Sequence, residues 1–200
     1  MLLHGYARDA AEALLASVAE VAAAAPWRHM VARTGHAMSV AMTNCGALGW
    51  TSDRSGYRYA PADPLTGRPW PALPPAFAAL AHAAAADAGL GPFEPDACLV
   101  NRYAPGARMG LHQDRDEPDL SAPIVSVSLG LPATFLWGGP RRTDKPARHR
   151  LEHGDVVVWG GPARLAFHGI APLPAGEHNL TGAARINLTF RRARPPKPLG

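Results

Sequence analysis

Three residues in the second half of the chain have the types and the spacing of a metal site. His112 and Asp114, in the segment GLHQDRDEPD, are two positions apart, so on an extended strand both side chains project from the same face. His168 follows much later, within the apolar segment LAFHGI. Two histidines and one carboxylate can hold iron(II) and leave coordination positions open to other molecules. The competing interpretation is a chance HxD pair and a hydrogen-bonded core histidine, because short motifs recur by chance.

A second HxD pattern, His153-Gly154-Asp155, is interpreted as a hairpin turn. Its central glycine lies between two segments rich in valine and leucine, which is typical of two strands joined by a tight connection. Such a turn directs the two side chains apart. We therefore leave this pair out of the metal site.

The segment RINLTFR, residues 185–191, alternates apolar residues with hydrogen-bond donors. Its polar face carries Arg185, Asn187, Thr189 and Arg191, and such a face is costly to bury without an anionic partner. Guanidinium groups bind carboxylates through paired hydrogen bonds, so a bound dicarboxylate would satisfy both arginines. The alternative is a solvent-facing edge strand that its arginines keep soluble.

Asn101 and Tyr103, in LVNRYAPG, repeat this pattern on another segment, with Val100 facing the other way. They are candidates for orienting the same small ligand in the mouth of a barrel. The alternative is a capping role at the end of a strand, just before the turn at Pro105-Gly106.

Two helices and a series of short strands must position these residues. Apolar residues recur at helical spacing from Ala11 to Ala22, with Asp9 as the expected N-cap, and a second helix is predicted from PPAF to Gly89. From Asp96 onward the period changes to two, which predicts strands in ACLVNRY, MGLHQD, PIVSVSLG, ATFLWGG, RHRLEHGDVVVWG, RLAFHGI and RINLTFRR. Many strands joined by Gly- and Pro-rich turns favour a barrel or a double-sheet jelly roll.

The segment between the helices, residues 42–74, is rich in Gly, Pro, Ser and Thr and predicts loops or hairpins. It also contains four large aromatic residues, Trp50, Tyr57, Tyr59 and Trp70. Disordered linkers are poor in aromatic residues, so an ordered cover over a site is the better interpretation.

Composition limits the class of protein. A chain of 200 residues that are 47% hydrophobic fits one domain with a sizeable core. Two distant cysteines, without a recognisable signal peptide or membrane span, predict a protein of the reducing cytoplasm. The net charge of +4 favours an anionic partner. The basic segment RRTDKPARHR, residues 141–150, fits phosphate contact and a solvated loop about equally well.

Four longer segments resemble the AlkB family of iron(II)- and 2-oxoglutarate-dependent dioxygenases: NRYAPGARMGLHQDRDEPD, PIVSVSLGLPA, LEHGDVVVWGG and RINLTFR. MSVAMTNCGALGW and GYRYAPADPLTGRPWP extend the resemblance, which covers about Trp27 to Arg191. It implies a mostly β fold with supporting α-helices, a double-stranded β-helix (jelly roll) with N-terminal helices and a nucleotide-recognition lid. It further implies a single dioxygenase domain over residues 1–200, with the lid and supporting helix at about 30–90 and the core at about 96–192.

The resemblance implies roles for the positions that match the metal and cosubstrate motifs. His112, Asp114 and His168 are the implied iron(II) ligands and catalytic residues, and dioxygen is the second cosubstrate. Arg185 and Arg191 would pair with the two carboxylates of 2-oxoglutarate. Completing its pocket are Asn101, Tyr103, Asn187 and Trp159.

The resemblance also implies contacts to a flipped base. Trp50 would stack on the base and Asp116 would lie near its exocyclic amine, while Met42 and Tyr57 would line the lid. Arg142, in the basic segment, is a further substrate-binding candidate. Downstream of Asp116, the acids Glu117 and Asp119 are interpreted as a solvated loop.

The implied activity is oxidative demethylation of N-alkylated bases such as 1-methyladenine and 3-methylcytosine, with release of formaldehyde, succinate and carbon dioxide. Expected partners are single-stranded DNA, with RNA and double-stranded DNA as further candidates, for a monomer that repairs DNA by direct reversal. Met109 and Gly110 depart from the residues expected before the HxD pair, which affects the expected substrate range rather than iron binding. One alternative is a dioxygenase acting on a protein or small molecule. Another is a metal-free nucleic-acid-binding jelly roll, against which the complete His/Asp/His set argues.

Overall fold

The computed structural model describes residues 1–195, a region built mainly from short β-strands. Its helices are α1 (Ala11–Ala24) and α2 (Pro75–Asp87), with a short 3-10 helix at Gly161–Ala163. The strands are β1 (Leu2–Leu3), β2 (Arg28–Val31), β3 (Ala37–Gly46), β4 (Gly49–Asp53), β5 (Gly56–Ala60), β6 (Ala97–Tyr103), β7 (Met109–His112), β8 (Ile124–Gly130), β9 (Ala133–Trp137), β10 (Ala147–Leu151), β11 (Val156–Trp159), β12 (His168–Ile170) and β13 (Arg185–Arg191). Within residues 1–195, no helix has the length and apolar character needed to cross a membrane.

The strands form two larger antiparallel sheets and one separate hairpin. The seven-stranded sheet has the order β1-β11-β8-β13-β6-β3-β2, and the four-stranded sheet has the order β10-β9-β12-β7. β4 and β5 pair only with each other. The predicted mostly β jelly roll with supporting helices is confirmed.

Strand β13 shows how the alternating sequence divides the interior. Ile186, Leu188 and Phe190 belong to the apolar cluster that includes both helices, and Phe190 meets the ring of Phe77 edge-on at 5.8 Å. The polar residues of β13 face a cavity on the other side of the large sheet. Period-two alternation therefore places one face against the helices and the other at a site.

The start of α1 differs from the prediction. The helix is preceded by Ala10, which already has right-handed helical angles, and no side chain caps the helix. The amide of Ala11 instead donates to the carbonyl of Arg8 at 3.2 Å, so a turn leads directly into the helix. Asp9 as the N-cap was therefore wrong.

The turn at His153-Gly154-Asp155 joins strands of different sheets. β10 pairs with β9, whereas β11 pairs with β8 and β1, so the predicted hairpin was wrong. Asp155 is buried and accepts hydrogen bonds from the amides of Gly5 and Glu152, both at 2.8 Å. These bonds fix the Asp155 side chain in a structural role, away from any metal.

The predicted strand RLAFHGI is shorter than expected and begins only at His168. The 3-10 helix precedes it, and the guanidinium of Arg164 is buried, where it donates to the carbonyl of Ala122 at 3.0 Å. The backbone amides of Arg164 and Ala166 donate to the carbonyls of Gly161 and Ala163, so the chain before His168 forms turns instead of a strand. This difference brings Arg164 beside the candidate site.

The β4–β5 hairpin is the ordered cover that the aromatic-rich segment predicts. Trp70 anchors its base, because the indole nitrogen donates to the carbonyl of Ala60 at 2.9 Å. A side chain at Gly49 would have its Cβ 2.3 Å from the Trp70 ring, so the close approach requires glycine. Residues 42–46 of the same predicted segment instead belong to β3 of the large sheet.

Candidate active site

The structure brings His112, Asp114 and His168 together. His112 and His168 are direct cross-strand partners on β7 and β12, and Asp114 follows β7. The Nε2 atoms of His112 and His168 lie 3.6 and 3.8 Å from the Asp114 carboxylate oxygens. One ligand atom from each residue lies within 4.8 Å of the others, a spacing that a single metal ion can bridge. In residues 1–195, no other group of three such side chains is close enough to hold an ion.

Backbone carbonyls fix the orientation of both imidazole rings. Nδ1 of His112 is 2.9 Å from the carbonyl oxygen of Gly110, and Nδ1 of His168 is 3.0 Å from that of Ala166. A carbonyl oxygen can only accept, so Nδ1 carries the proton in each ring. Nε2 is therefore left with its lone pair directed at the cluster, as metal-binding histidines require.

Electrostatics favour the metal-binding forms of Asp114 and His168. Burial lowers the pKa of His168 to about 4, which keeps the ring neutral near pH 7. Burial by itself raises the pKa of Asp114, but Arg191, His168 and His112 outweigh it and hold that pKa below its ordinary value. A carboxylate and two histidines form a donor set that suits iron(II).

A cavity of about 670 Å³ adjoins this cluster, and the polar face of β13 lines it. Arg185 is 1% exposed, and its guanidinium lies over the ring of Tyr103 at 5.0 Å. Its Nη2 donates to Ser128 at 2.9 Å, but its Nε and Nη1 have no partner among residues 1–195. Because an unpartnered buried guanidinium is costly, these atoms fit a carboxylate ligand such as one end of 2-oxoglutarate.

Three polar residues extend this wall of the cavity. Asn101 donates through Nδ2 to Oδ1 of Asn187 at 3.2 Å, and Thr189 donates to the same oxygen at 2.9 Å. Oδ1 of Asn101 is buried without a partner in the described part of the chain. The amide of Asn101 therefore keeps hydrogen-bonding capacity for a ligand, since its Nδ2 has a second hydrogen and its Oδ1 has no partner among those residues.

Trp159, on β11, lies between the cavity and the metal cluster. Its ring is 4.9 Å from that of His168, and its buried indole nitrogen lacks a partner within residues 1–195. Arg191, the other arginine expected to bind the cosubstrate, already donates to Oδ2 of Asp114 from Nε at 3.1 Å and Nη2 at 2.8 Å. Among residues 1–195, the charge of Arg191 is therefore paired with an acid, whereas Arg185 keeps two donors without a partner.

The candidate base-binding residues line the same cavity at the lid. Trp50 on β4 and Tyr57 on β5 stack with their ring centroids 5.4 Å apart and an angle of 25° between the planes. The Trp50 indole nitrogen donates to Oδ2 of Asp116 at 2.9 Å. The aromatic surface and the acid expected to contact a base thus contact each other here.

Met42 and Arg142 complete the set expected to bind substrate, at very different depths. Met42 is 1% exposed on β3, whereas Arg142 is exposed in the β9–β10 connection, with its guanidinium 5.9 Å from the ring of Phe167. Both line the cavity. The structure therefore brings every residue of the predicted site to one cavity, from the buried metal cluster to the exposed rim.

Glu117 and Asp119 were wrongly interpreted as solvated. Glu117 is 5% exposed and accepts hydrogen bonds from Tyr59 at 2.5 Å and from Arg164 at 3.0 Å. Asp119 is 6% exposed, caps the turn at Ser121 and lies 3.5 Å from Arg192. Arg164 and Arg192, both distant in sequence, compensate the charges of these buried acids. The sequence around Glu117 and Asp119 gives no sign of these partners.

Sequence reasoning missed the site roles of Arg164 and Tyr59. Arg164 donates hydrogen bonds to the carboxylate of Glu117 and to the backbone carbonyl of Asp114, and it thereby helps to hold Asp114 in place. It lies in a segment that resembled an apolar strand, which hid it. Tyr59 was noted only as an aromatic residue of the cover, and no local signal indicates the partner of its hydroxyl.

Comparisons with known proteins agree with this geometry. The family model described as the 2OG-Fe(II) oxygenase superfamily matches residues 1–191. The alpha-ketoglutarate-dependent dioxygenase AlkB of Salmonella typhimurium is 61% identical over 193 residues, which cover 96% of this chain and 89% of the relative. A "DNA N(6)-methyladenine demethylase ALKBH1D" of Arabidopsis thaliana is 43% identical over 108 residues, covering 48% of this chain and 24% of the relative. Among solved structures, one titled "The structure of OsALKBH1" superposes with a TM-score of 0.83 at 31% identity, covering 96% of this chain and 97% of that one.

Proposed function

The chain is an iron(II)- and 2-oxoglutarate-dependent dioxygenase of the AlkB family, and from this premise we propose that it oxidatively demethylates N-alkylated bases in single-stranded DNA. The bases we have in mind are 1-methyladenine and 3-methylcytosine, so the reaction is DNA repair by direct reversal. RNA and double-stranded DNA are further candidate substrates.

One observation carries the proposal: a His/Asp/His metal-ligand set, a buried arginine with two donors unpaired within residues 1–195 and a stacked aromatic pair line a single cavity. An oxygenase acting on a small molecule would not need the aromatic pair on a separate hairpin. Flat aromatic rings suit a base, since every base has a face that stacks. A base in a single strand also costs less to unstack than a base in a duplex.

The residues of the chain divide the work of the reaction. We propose that His112, Asp114 and His168 hold iron(II), which together with 2-oxoglutarate and dioxygen supplies the oxidant for the N-methyl carbon. Arg185 would bind one carboxylate of 2-oxoglutarate through its free Nε and Nη1, and Arg191 would bind the other.

The neighbouring polar residues would orient the cosubstrate, with Asn101, Tyr103 and Asn187 completing its hydrogen bonds. Trp50 would stack on the base while Asp116 accepts a hydrogen bond from its exocyclic amine. Met42, Tyr57 and Arg142 would hold the rest of the nucleotide. The carbinol formed on the methyl group releases formaldehyde without further help from the protein.

The test incubates anaerobically purified protein with iron(II), 2-oxoglutarate and an oligonucleotide that carries one 1-methyladenine, and then admits air. We expect the oligonucleotide to lose the mass of one methylene group and succinate to form in equal amount. Asp114→Ala should abolish both products, because it removes a ligand from the cluster. Glu20→Gln, on the exposed face of α1, is the matched control and should leave both unchanged.

Two results would contradict the proposal in different ways. Succinate that forms at the same rate with and without the methylated oligonucleotide would indicate a protein or small-molecule substrate. Binding of the oligonucleotide with neither product would indicate a nucleic-acid-binding protein without turnover. Repeating the assay with methylated RNA and with a duplex ranks the candidate substrates.

The remaining features of the proposal concern organisation and compartment. We treat residues 1–200 as one dioxygenase domain, with the lid and supporting helix at about 30–90 and the core at about 96–192. Cys45 and Cys98 are buried and unoxidised, which suits the reducing cytoplasm. We propose a monomeric cytoplasmic enzyme, and light scattering of the purified chain tests the monomer.

A further inference from the structure

We propose that Tyr59 and Glu117 act as positioning residues that couple the lid hairpin to the metal and cosubstrate site. The relay consists of Tyr59, Glu117, Arg191 and Asp114, in that order from the lid to the metal cluster. It rests on the proposed function for the nucleotide under the lid and for the cosubstrate carboxylate at Arg191. The coupling itself concerns contacts within this chain.

The lid hairpin contacts two adjacent acids, Asp116 and Glu117, in the loop after β7. Trp50 and Tyr59 are direct cross-strand partners on β4 and β5, so both side chains lie on the same face of the hairpin. Trp50 donates to Asp116 at 2.9 Å, and Tyr59 donates to Glu117 at 2.5 Å. One pair of the hairpin thus contacts two consecutive carboxylates.

A bound base should affect the Trp50–Asp116 and Tyr59–Glu117 hydrogen bonds differently. Trp50 and Asp116 are the expected base contacts, so a bound base replaces or shares their hydrogen bond. Glu117 lines the same cavity but is only 5% exposed, and both of its carboxylate oxygens are already held by the protein, by Tyr59 and Arg164. The Tyr59–Glu117 bond is therefore the connection that persists through substrate binding.

One carboxylate oxygen of Glu117 contacts both the lid and Arg191. Its Oε1 accepts from the Tyr59 hydroxyl and also lies 3.3 Å from Nε of Arg191. Its Oε2 is held by Arg164 at 3.0 Å, which keeps the carboxylate from rotating. Arg191 in turn donates to Asp114, so two hydrogen bonds and one ion pair join the lid to a metal ligand.

The charges predict the direction of the coupling. Arg191 now divides its positive charge between Asp114 and Glu117. A cosubstrate carboxylate on Arg191 neutralises that charge and reduces its attraction for Oε1 of Glu117. The oxygen then becomes a stronger acceptor for the Tyr59 hydroxyl, because hydrogen bonds to an uncompensated carboxylate are the stronger ones. Binding at the metal site should therefore hold the lid hairpin more firmly.

Hydrogen–deuterium exchange of the β4–β5 amides tests the relay without any nucleic acid. The probes are manganese(II) and 2-oxoglutarate at saturating concentrations, which occupy the site without turnover. In the wild-type chain we expect exchange in the hairpin to slow by about fivefold or more, the lower end of common couplings. In Tyr59→Phe, which loses only the hydroxyl, the slowing should disappear while tryptophan fluorescence still reports saturable 2-oxoglutarate binding.

Asp53→Asn is the matched control on the same hairpin. It weakens the exposed ion pair between Asp53 and Arg58, which has no contact with Glu117, and should keep the wild-type response. The relay is overturned if the wild-type hairpin does not respond to the two ligands. It is equally overturned if Tyr59→Phe responds as the wild type does.

A second measurement connects the relay to the substrate. Fluorescence anisotropy gives the Kd of a methylated oligonucleotide with and without manganese(II) and 2-oxoglutarate. The ratio of the two values should be about fivefold or more in the wild type and close to one in Tyr59→Phe. If the oligonucleotide binds neither protein, the proposed substrate is wrong, and the exchange experiment still decides on the relay.

Discussion

Removal of the Glu117 side chain is expected to destabilise the protein far more than removal of an exposed acid. In Glu117→Ala the buried guanidiniums of Arg164 and Arg191 lose a shared carboxylate. Arg191 keeps the carboxylate of Asp114, but Arg164 keeps only backbone carbonyls. Breaking a buried ion pair from one side costs about 3–5 kcal/mol, since the remaining charge stays buried without compensation. The hydroxyl of Tyr59 also loses its acceptor.

Urea and thermal unfolding of the metal-free protein measure this cost. For a chain of this size a loss of 3–5 kcal/mol corresponds to a fall in Tm of about 6–20 °C. Asp144→Ala is the control, because its partner Arg141 is 81% exposed and such pairs contribute less than about 1 kcal/mol. A Glu117→Ala protein within about 1 kcal/mol of the wild type would refute the assignment of Glu117 to a buried charge network.

Three further predictions concern individual site residues. Arg185→Gln should weaken 2-oxoglutarate binding by about 10- to 100-fold in a titration calorimeter, because it removes charged hydrogen bonds worth about 1.5–3 kcal/mol; unchanged affinity would contradict its role. Trp50→Ala should raise the Kd of the methylated oligonucleotide by about 5- to 150-fold, the equivalent of one stacked base, and leave 2-oxoglutarate binding intact. The metal-free protein should lose stability as the pH falls from about 6.5 to about 4, because the pKa of His168 is lowered to about 4 and the unfolded chain binds the proton more readily in that range. Unfolding of His168→Gln over the same range should show a shallower loss, and an identical slope would contradict the prediction.

The polar wall of the cavity on β13 could be predicted because alternate residues of a strand belong to opposite faces. RINLTFR separates donors from apolar residues at every position, and the structure places Arg185 and Arg191 on the cavity side and Leu188 on the helix side. His168 is the cross-strand neighbour of His112, whereas Asp114 lies two residues further on, just beyond the end of β7. Site residues that lie on one strand could therefore be predicted from the local sequence pattern.

The charge network could not be predicted, because its members come from four separate parts of the chain. Tyr59 lies on the lid, Glu117 on the loop after β7, Arg164 beyond the 3-10 helix and Arg191 at the end of β13. Nothing near Glu117 in sequence distinguishes it from a solvated acid, since burial depends on the distant arginines. The same reason explains Asp119, which is compensated by Arg192.

The buried acids explain why the two arginines of β13 should behave differently. Arg191 is neutralised by Asp114 and Glu117 before any ligand arrives, so its loss should mainly reduce stability. Arg185 meets no acid in residues 1–195 and keeps two donors free, so its charge remains for an anion. A dicarboxylate that binds here therefore gains most of its new charge compensation at Arg185. If the proposed cosubstrate binds here, its selection would depend on the two donors of Arg185 that have no partner within residues 1–195, whereas Arg191 is already paired with Asp114 and Glu117.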